Sequence, residues 1–277
     1  MISIGVIGLG YVGSAINNGL NRFYNVLTFD LKGGCTHESI NSLSRDAKLI
    51  FICVPTPMNK DGSCNTETVE SVVSEINQTN QENIVVIKST VPPGTTQRLA
   101  SKYTNIKLIF SPEFLTEANY LNDFIDCNRI IFGGDLESCA YVSRIFKAAY
   151  PDKRCIQTNP TTAEMVKYMA NSFLATKVSF SNEIYDICSQ INVDYDKVVE
   201  CVTLDDRLGK SHWAVPGPDG KRGFGGTCLP KDINGLIKFS KTINVEPAFL
   251  KAVWNKNLQV RPEKDWENLV GRAITKE

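Results

Sequence analysis

Short apolar runs alternate with amphipathic stretches through the first part of the chain, and long helical periodicity dominates the rest. Residues 2–7, 26–29, 49–54, 84–88, 107–110, 129–132 and 155–158 have the length and composition of buried strands. Between them, residues 67–76, 95–103 and 136–149 carry apolar positions at helical spacing. Strands that alternate with helices predict a parallel sheet covered on both faces. After Asn159-Pro160 the alternation stops, and a domain boundary is expected there, giving domains over 1–160 and 161–277. Thr161 and Glu164 have capping-box spacing, and Met165, Met169, Phe173, Phe180, Ile184 and Ile187 sustain one helix of about thirty residues. Two further helices are expected over 195–202 and 247–260, with the segment from 261 onward lying over the surface as a tail.

The first strand runs into Gly8-Leu9-Gly10-Tyr11-Val12-Gly13, and an amphipathic helix follows. Glycines at this spacing let the backbone approach a pyrophosphate, whose charge the helix N-terminus favours. The second strand ends at Asp30, about twenty residues on, where a carboxylate can accept from adenosine ribose hydroxyls. The expected fold is therefore α/β, a doubly wound parallel Rossmann-like sheet followed by an all-α domain, and the expected cofactor is NAD. A 2′-phosphate would meet the like charge of Asp30. In such sheets ligands gather at the carboxyl ends of the strands. Three segments with hydroxyls, prolines or a carboxylate leave those ends: Val54-Pro55-Thr56-Pro57, Ser89-Thr90-Val91-Pro92-Pro93-Gly94-Thr95, and Ser111-Pro112-Glu113-Phe114-Leu115.

In the helical half, Lys167 and Asn171 are four apart and share a face with Leu174, Val178 and Tyr185. A lysine in that stripe either lays its stem along the core rim or meets a partner in a cavity. Residues 204–227 are long and irregular, as binding loops are. They lead into Gly223-Phe224-Gly225-Gly226-Thr227-Cys228-Leu229-Pro230-Lys231-Asp232, in which Pro230 suits the first position of a helix. Cys228 is then either an inert thiol in a turn or a thiolate favoured by a helix N-terminus.

Composition narrows the function classes. Lys plus Arg and Asp plus Glu are 30 each among 277 residues, so no net field points to nucleic acid or an anionic membrane. No apolar run approaches the length of a membrane span, and Met1 leads directly into a strand without a secretory leader. Nine scattered cysteines without a Cys-x-x-Cys pair, and only two histidines, imply reduced thiols in a cytoplasmic setting and no metal site.

Taken together, the glycine motif, Val54-Pro55-Thr56-Pro57, Ser89-Thr90-Val91, Pro112-Glu113-Phe114-Leu115, Glu164-x-x-Lys167-x-x-x-Asn171 and the Gly223 to Asp232 stretch resemble the UDP-glucose/GDP-mannose dehydrogenase family. The resemblance implies NAD-dependent four-electron oxidation of a sugar-nucleotide primary alcohol to a uronic acid, in a homodimer joined through the helical domain. UDP-glucose is the substrate expected from it, with GDP-mannose as an alternative. It implies that Cys228 carries a thiohemiacetal and then a thioester, that Lys167 and Asn171 stabilise the oxyanions, and that Glu113 serves thioester hydrolysis. Asp232, with Thr90, would place a water near the alcohol. By the same resemblance Arg207, Phe224, Gly225, Phe114 and Leu115 reach the sugar nucleotide. Lys32 assists Asp30 at the ribose, and Gly8, Gly10, Tyr11, Val12, Gly13, Val54, Pro55, Thr56, Ser89 and Thr90 line the cofactor. Family members usually continue into a second α/β domain; here either residues 204–221 and the tail would do part of its work, or another chain would supply it, or activity would be weak. A rival reading is a catalytically silent NAD-binding or sugar-nucleotide-binding partner. Two-electron hydroxyacid dehydrogenases need no thiol, which speaks against them.

Overall fold

The computed structural model describes residues 2–276. It divides into two compact units, residues 1–56 with 65–167 and residues 57–64 with 168–277. The division falls inside one long helix rather than at 160, because the first turns of that helix pack into the sheet unit through Ala163.

The first unit contains β1 (Ser3–Ile7), α1 (Tyr11–Leu20), β2 (Asn25–Phe29), α2 (Ile40–Asp46), β3 (Leu49–Ile52), α3 (Glu67–Gln78), β4 (Ile84–Ile87) and α4 (Thr95–Lys102). It continues through β5 (Lys107–Phe110), α5 (Tyr120–Asp126), β6 (Arg129–Gly133), α6 (Leu136–Ala149) and β7 (Arg154–Thr158). The seven strands lie in the order β2-β1-β3-β4-β5-β6-β7, with the change of direction between β1 and β3. Strands β3 and β4 are buried along their whole length, as continuous apolar strands covered on both faces must be. One core cluster fills each face of the sheet, built on Ile50, Ile52 and Val85 on one side and Phe51, Val86 and Phe132 on the other.

The sheet is not wholly parallel. β6 meets β5 antiparallel through Phe110 and Gly133, while β6 and β7 run parallel to each other. The cause is local: α5 stays beside α1, its Phe124 ring occupying the space that a side chain at Gly19 would need. The Lys153 ammonium fixes the end of α5 by donating to the carbonyls of Phe124, Ile125 and Cys127 at 2.6–2.9 Å. The chain therefore does not cross to the amino edge of the sheet before β6 begins. Helices α2 and α5, each of 7 residues, are absent from the periodicity because such short helices draw stability from packing.

The long helix α7 (Pro160–Gln190) has 31 residues. Its start differs from the expected capping box. The Asn159 side chain accepts from Thr162 N at 2.8 Å, and Glu164 instead accepts from Gly94 N and Thr96 N at 2.5 and 2.7 Å. Glu164 thus caps α4, whose own N-cap, Gly94, has no side chain to do so. Burial raises the Glu164 pKa against the pull of those two N–H donors.

In the second unit the rest of α7 is joined by α8 (Tyr195–Val202), α9 (Leu229–Thr242) and α10 (Ala248–Val260), with a 3-10 turn at Asp206–Leu208. Most of the apolar residues that give α7 its expected helical period face outward: Met169 is 70 % exposed, Phe173 61 % and Phe180 54 %. The enclosed side carries Asn171, Ser172, Lys177, Ser179, Ser181 and Asn182 beside Ala175. Among the described residues no helix is long and apolar enough to cross a membrane.

The segment after 260 is no surface tail. Arg261 and Trp266 are fully buried, and Trp266 packs on Trp254 at 5.2 Å between ring centres. The Arg261 guanidinium donates to Asp265 and Asp219, both at 2.6 Å, and to Arg222 O at 3.3 Å. Burial of that guanidinium is offset by the two carboxylates, which hold its pKa above the ordinary arginine value. Replacing it leaves carboxylates unpaired, although Asp219 is half-exposed and partly screened by solvent. Arg261→Met is expected to lower unfolding free energy by about 2–3 kcal/mol, and an unchanged denaturant midpoint would contradict this role.

Candidate active site

The glycine turn follows directly from β1. Gly10 is the N-cap of α1, extended and without a capping side chain, so the first N–H groups of the helix are left for a ligand. A Cβ built on Gly10 would meet nothing within 4 Å, whereas one on Gly13 would come within 1.8 Å of Gly8 O. Gly13 therefore permits close packing of helix and strand, and Gly10 leaves an open cradle. Asp30 closes the arrangement, its two carboxylate oxygens accepting from Leu9 N at 2.7 Å and Lys32 N at 2.9 Å. Each oxygen retains capacity to accept from a ribose hydroxyl. Lys32 meets Asp30 through its main chain. Ser89 Oγ donates to Val54 O at 2.6 Å, tying the β3 and β4 exits together, and Thr56 and Thr90 are buried beside them. Tyr11 and Val12 occupy the first turn of α1. An open, uncapped helix terminus with an acidic residue at the end of β2 fits a dinucleotide with a free 2′-hydroxyl.

The β5 exit carries Glu113, which is held firmly. Lys167 Nζ, from α7, donates to Glu113 Oε1 and to Glu113 O, both at 2.8 Å, and Glu113 Oε2 accepts from Leu115 N at 2.8 Å. Burial alone would raise the Glu113 pKa, but the Lys167 charge and these hydrogen bonds outweigh it and hold the carboxyl below its usual range. Phe114 lies under two cations, the Arg129 guanidinium at 4.7 Å and the Lys167 ammonium at 5.9 Å from its ring centre. Within the first unit the expected residues Glu113, Phe114, Leu115 and Lys167 are thus brought together.

In the second unit Cys228 is the N-cap of α9, partly exposed, with Pro230 at the second helical position rather than the first. Thr227 Oγ1 lies 3.5 Å from its sulfur. One turn on, the buried Asp232 carboxylate accepts from Asn171 Nδ2 and Lys231 Nζ, both at 2.5 Å. Burial works against the Lys231 ammonium, but Asp232, Cys228 and Cys64 together outweigh it and raise its pKa. Lys231 was not among the expected functional residues. Its signal was the three-residue spacing from Cys228, which places a cation near the thiol.

Two expectations change. Phe224 does not offer its ring to a ligand: it is buried with Ala175, Ile233, Ile237 and Val253, and its N–H and C=O are taken by Asn257 at 2.7 and 2.9 Å. A phenylalanine among glycines reads as loop, yet here it anchors the loop to α10. Arg207 is solvent-exposed and turned back onto Asp205 of its own 3-10 turn, at 2.5–3.0 Å. Gly225 is required by close approach, since a Cβ there would lie 2.4 Å from both Arg261 Nη2 and Asp265 Oδ1. Arg261 and Asp265 thereby brace the loop that precedes Cys228, and Asp265 also accepts from Gly226 N at 3.2 Å. Neither was legible, because ion pairs rather than apolar period bury this segment.

Comparison with known proteins agrees with both units. The NAD binding domain of the UDP-glucose/GDP-mannose dehydrogenase family matches residues 34–150, and the central domain of the same family matches 161–259. UDP-glucose 6-dehydrogenase of Rickettsia prowazekii is 34 % identical over 238 residues, covering 83 % of this chain and 52 % of its own length. UDP-glucose 6-dehydrogenase TuaD of Bacillus subtilis is 32 % identical over 246 residues, covering 86 % of this chain and 51 % of its own. The chain spans about half the length of these curated relatives. The structure of a UDP-glucose dehydrogenase from Pyrobaculum islandicum superposes with a TM-score of 0.85 at 30 % identity, over 97 % of this chain and 70 % of that one. With two domains of one family matched in order and the fold shared along its length, the chain belongs to the UDP-glucose/GDP-mannose dehydrogenase family.

Proposed function

We propose that the chain carries the machinery for NAD-dependent, four-electron oxidation of a nucleotide-sugar 6-hydroxyl to the uronic acid, with UDP-glucose as substrate and UDP-glucuronate as product. The observation that carries this reading is Cys228 at the N-cap of α9, followed one turn later by the Asn171–Asp232–Lys231 network. A hydride-transfer enzyme that stopped at the aldehyde would have no use for that thiol.

NAD, which Gly8, Gly10, Gly13 and Asp30 would hold, would supply the hydride acceptor, one molecule for the first oxidation and a fresh one for the second. The remaining steps fall to side chains. Asp232 accepts the alcohol proton through a water, with Thr90 assisting. The Cys228 thiolate adds to the aldehyde carbon, forming a C–S bond and an oxyanion that Lys167 and Asn171 stabilise. Loss of the second hydride leaves the acyl group on sulfur as a thioester. Glu113, ionised because Lys167 outweighs its burial, draws a proton from the water that cleaves the C–S bond and releases the acid. The family resemblance also brings Arg207, Leu115 and Gly225 toward the sugar nucleotide.

Supporting a homodimer, the outward face of α7 presents Met169, Phe173, Phe180 and Ile187, more apolar surface than a helix keeps in water without a partner. A second copy of the chain, related by a twofold axis, would bury it. Nine free thiols suit a reducing, cytoplasmic setting.

Cys228→Ser should abolish acid formation from UDP-glucose and leave the NAD dissociation constant within about twofold. Loss of NAD binding in that variant would mean that the loop is structural. Turnover by neither UDP-glucose nor GDP-mannose in the parent protein, with NAD bound normally, would instead identify a silent binder. Phe173→Glu should convert dimer to monomer in sedimentation velocity. An unchanged sedimentation coefficient for the variant, or a monomeric parent, would remove α7 from that role.

A further inference from the structure

Lys88 follows β4 directly and stands next to Ser89 and Thr90, yet neither the glycine motif nor the thiol chemistry calls on it. Its side chain crosses to the neighbouring strand exit, where Nζ donates to Ser111 Oγ at 3.2 Å and to Pro112 O at 3.1 Å. Those are the two residues immediately before Glu113. Both acceptors are neutral, so among the described residues the ammonium has no direct ion pair to offset its loss of water. The space beside it is a cavity of about 40 Å³, also bordered by Glu113 and Arg129 and otherwise walled mainly by Val12, Ile16, Leu115, Phe124, Ile130 and Phe146. A lysine in such walls is expensive to keep for packing alone, since methionine would fill the same volume without a charge to desolvate.

We infer that Lys88 is a positioning residue for Glu113: it pins the Ser111-Pro112 segment and supplies, with Lys167, a second positive charge to the carboxylate. This rests on Glu113 having the hydrolytic role given above. The charged and titratable groups around Lys88 come from five elements, Arg129 of β6 lining the same cavity. Burial pushes its pKa down to about 8, against Glu113 at the β5 exit, Cys53 after β3 and Cys127 after α5, while Lys167 on α7 pushes in the same direction as burial. Cys53 is no competing anion at neutral pH, because burial raises its own pKa to about 12. Glu113 is the largest of the opposing charges on Lys88, and each favours the ionised form of the other. The sign follows: Lys88 is protonated below about pH 8 and loses its charge above it, so support for the Glu113 carboxylate and its loop weakens as pH rises through that region.

Lys88→Met and Lys88→Arg distinguish this role from simple packing. The cavity gives methionine room, and arginine stays charged at every working pH. In protein labelled with carboxyl-13C glutamate, with Glu113→Gln for assignment, Lys88→Met should raise the Glu113 pKa by about half a unit or more, and Lys88→Arg should not. With UDP-glucose and NAD, kcat should fall several-fold in Lys88→Met with KM within about twofold, and the fall in kcat above about pH 8 should vanish in Lys88→Arg. An unmoved Glu113 titration in Lys88→Met would overturn the inference, as would equal loss of activity in both variants. A shifted titration in a protein that oxidises no nucleotide sugar would sustain the Lys88–Glu113 coupling while removing the hydrolytic role.

Discussion

The ion pair between Lys167 and Glu113 is a buried constraint that ties the β5 exit to α7 within the first unit. Both side chains are enclosed, 4 % and 11 % exposed, and two charges withdrawn from water repay their desolvation only in good geometry. That geometry is present: one ammonium meets both a carboxylate oxygen and the main-chain carbonyl of the same residue, and the second carboxylate oxygen takes a backbone N–H. The pair fixes the β5 exit loop against the beginning of α7. Hydrophobic residues of equal volume would do that at lower cost, so the retention of two charges argues for chemistry.

The same tension runs along α7. A helix normally turns its apolar stripe to the core, but this one encloses Asn171, Lys177 and Asn182 and leaves Met169, Phe173 and Phe180 in water. The polar side is used: Asn171 meets Asp232, Lys177 donates to the Leu208 carbonyl and lies 4.6 Å from the Trp213 ring centre, and Asn182 accepts from Arg222. Stability in the second unit therefore rests on polar networks as much as on its apolar cluster of Phe224, Ile233, Ile237 and Val253. Arg261 belongs to the same economy of charge, bracing the loop from Gly223 to Gly226 just ahead of Cys228.

What the sequence made legible was whatever repeats locally. The strand-turn-helix of Gly8 to Gly13, the acidic end of β2 and a thiol ahead of a helix are each written within a few residues. Long-range pairing was not. Periodicity revealed a stripe on α7 but could not say which side faced inward. Glu164 has capping-box spacing to Thr161, yet the donors it serves lie at Gly94 and Thr96, far away in the chain. Arg261 and Trp266 are buried by ion pairs and by aromatic contact, neither of which leaves a period. Antiparallel entry of β6 depended on where α5 packs, and a helix of seven residues announces little. Lys88 looked like the polar end of a strand until Ser111 and Pro112 came within its reach.

The central claim is that one thiol carries the substrate through two successive oxidations before an acid leaves. Its most direct measure is stoichiometry: with UDP-glucose limiting and NAD in excess, NADH formed is counted against uronic acid released. The account predicts two NADH per acid, with no free aldehyde trapped by an added amine. One NADH per sugar consumed, with aldehyde accumulating in the trap, would contradict it.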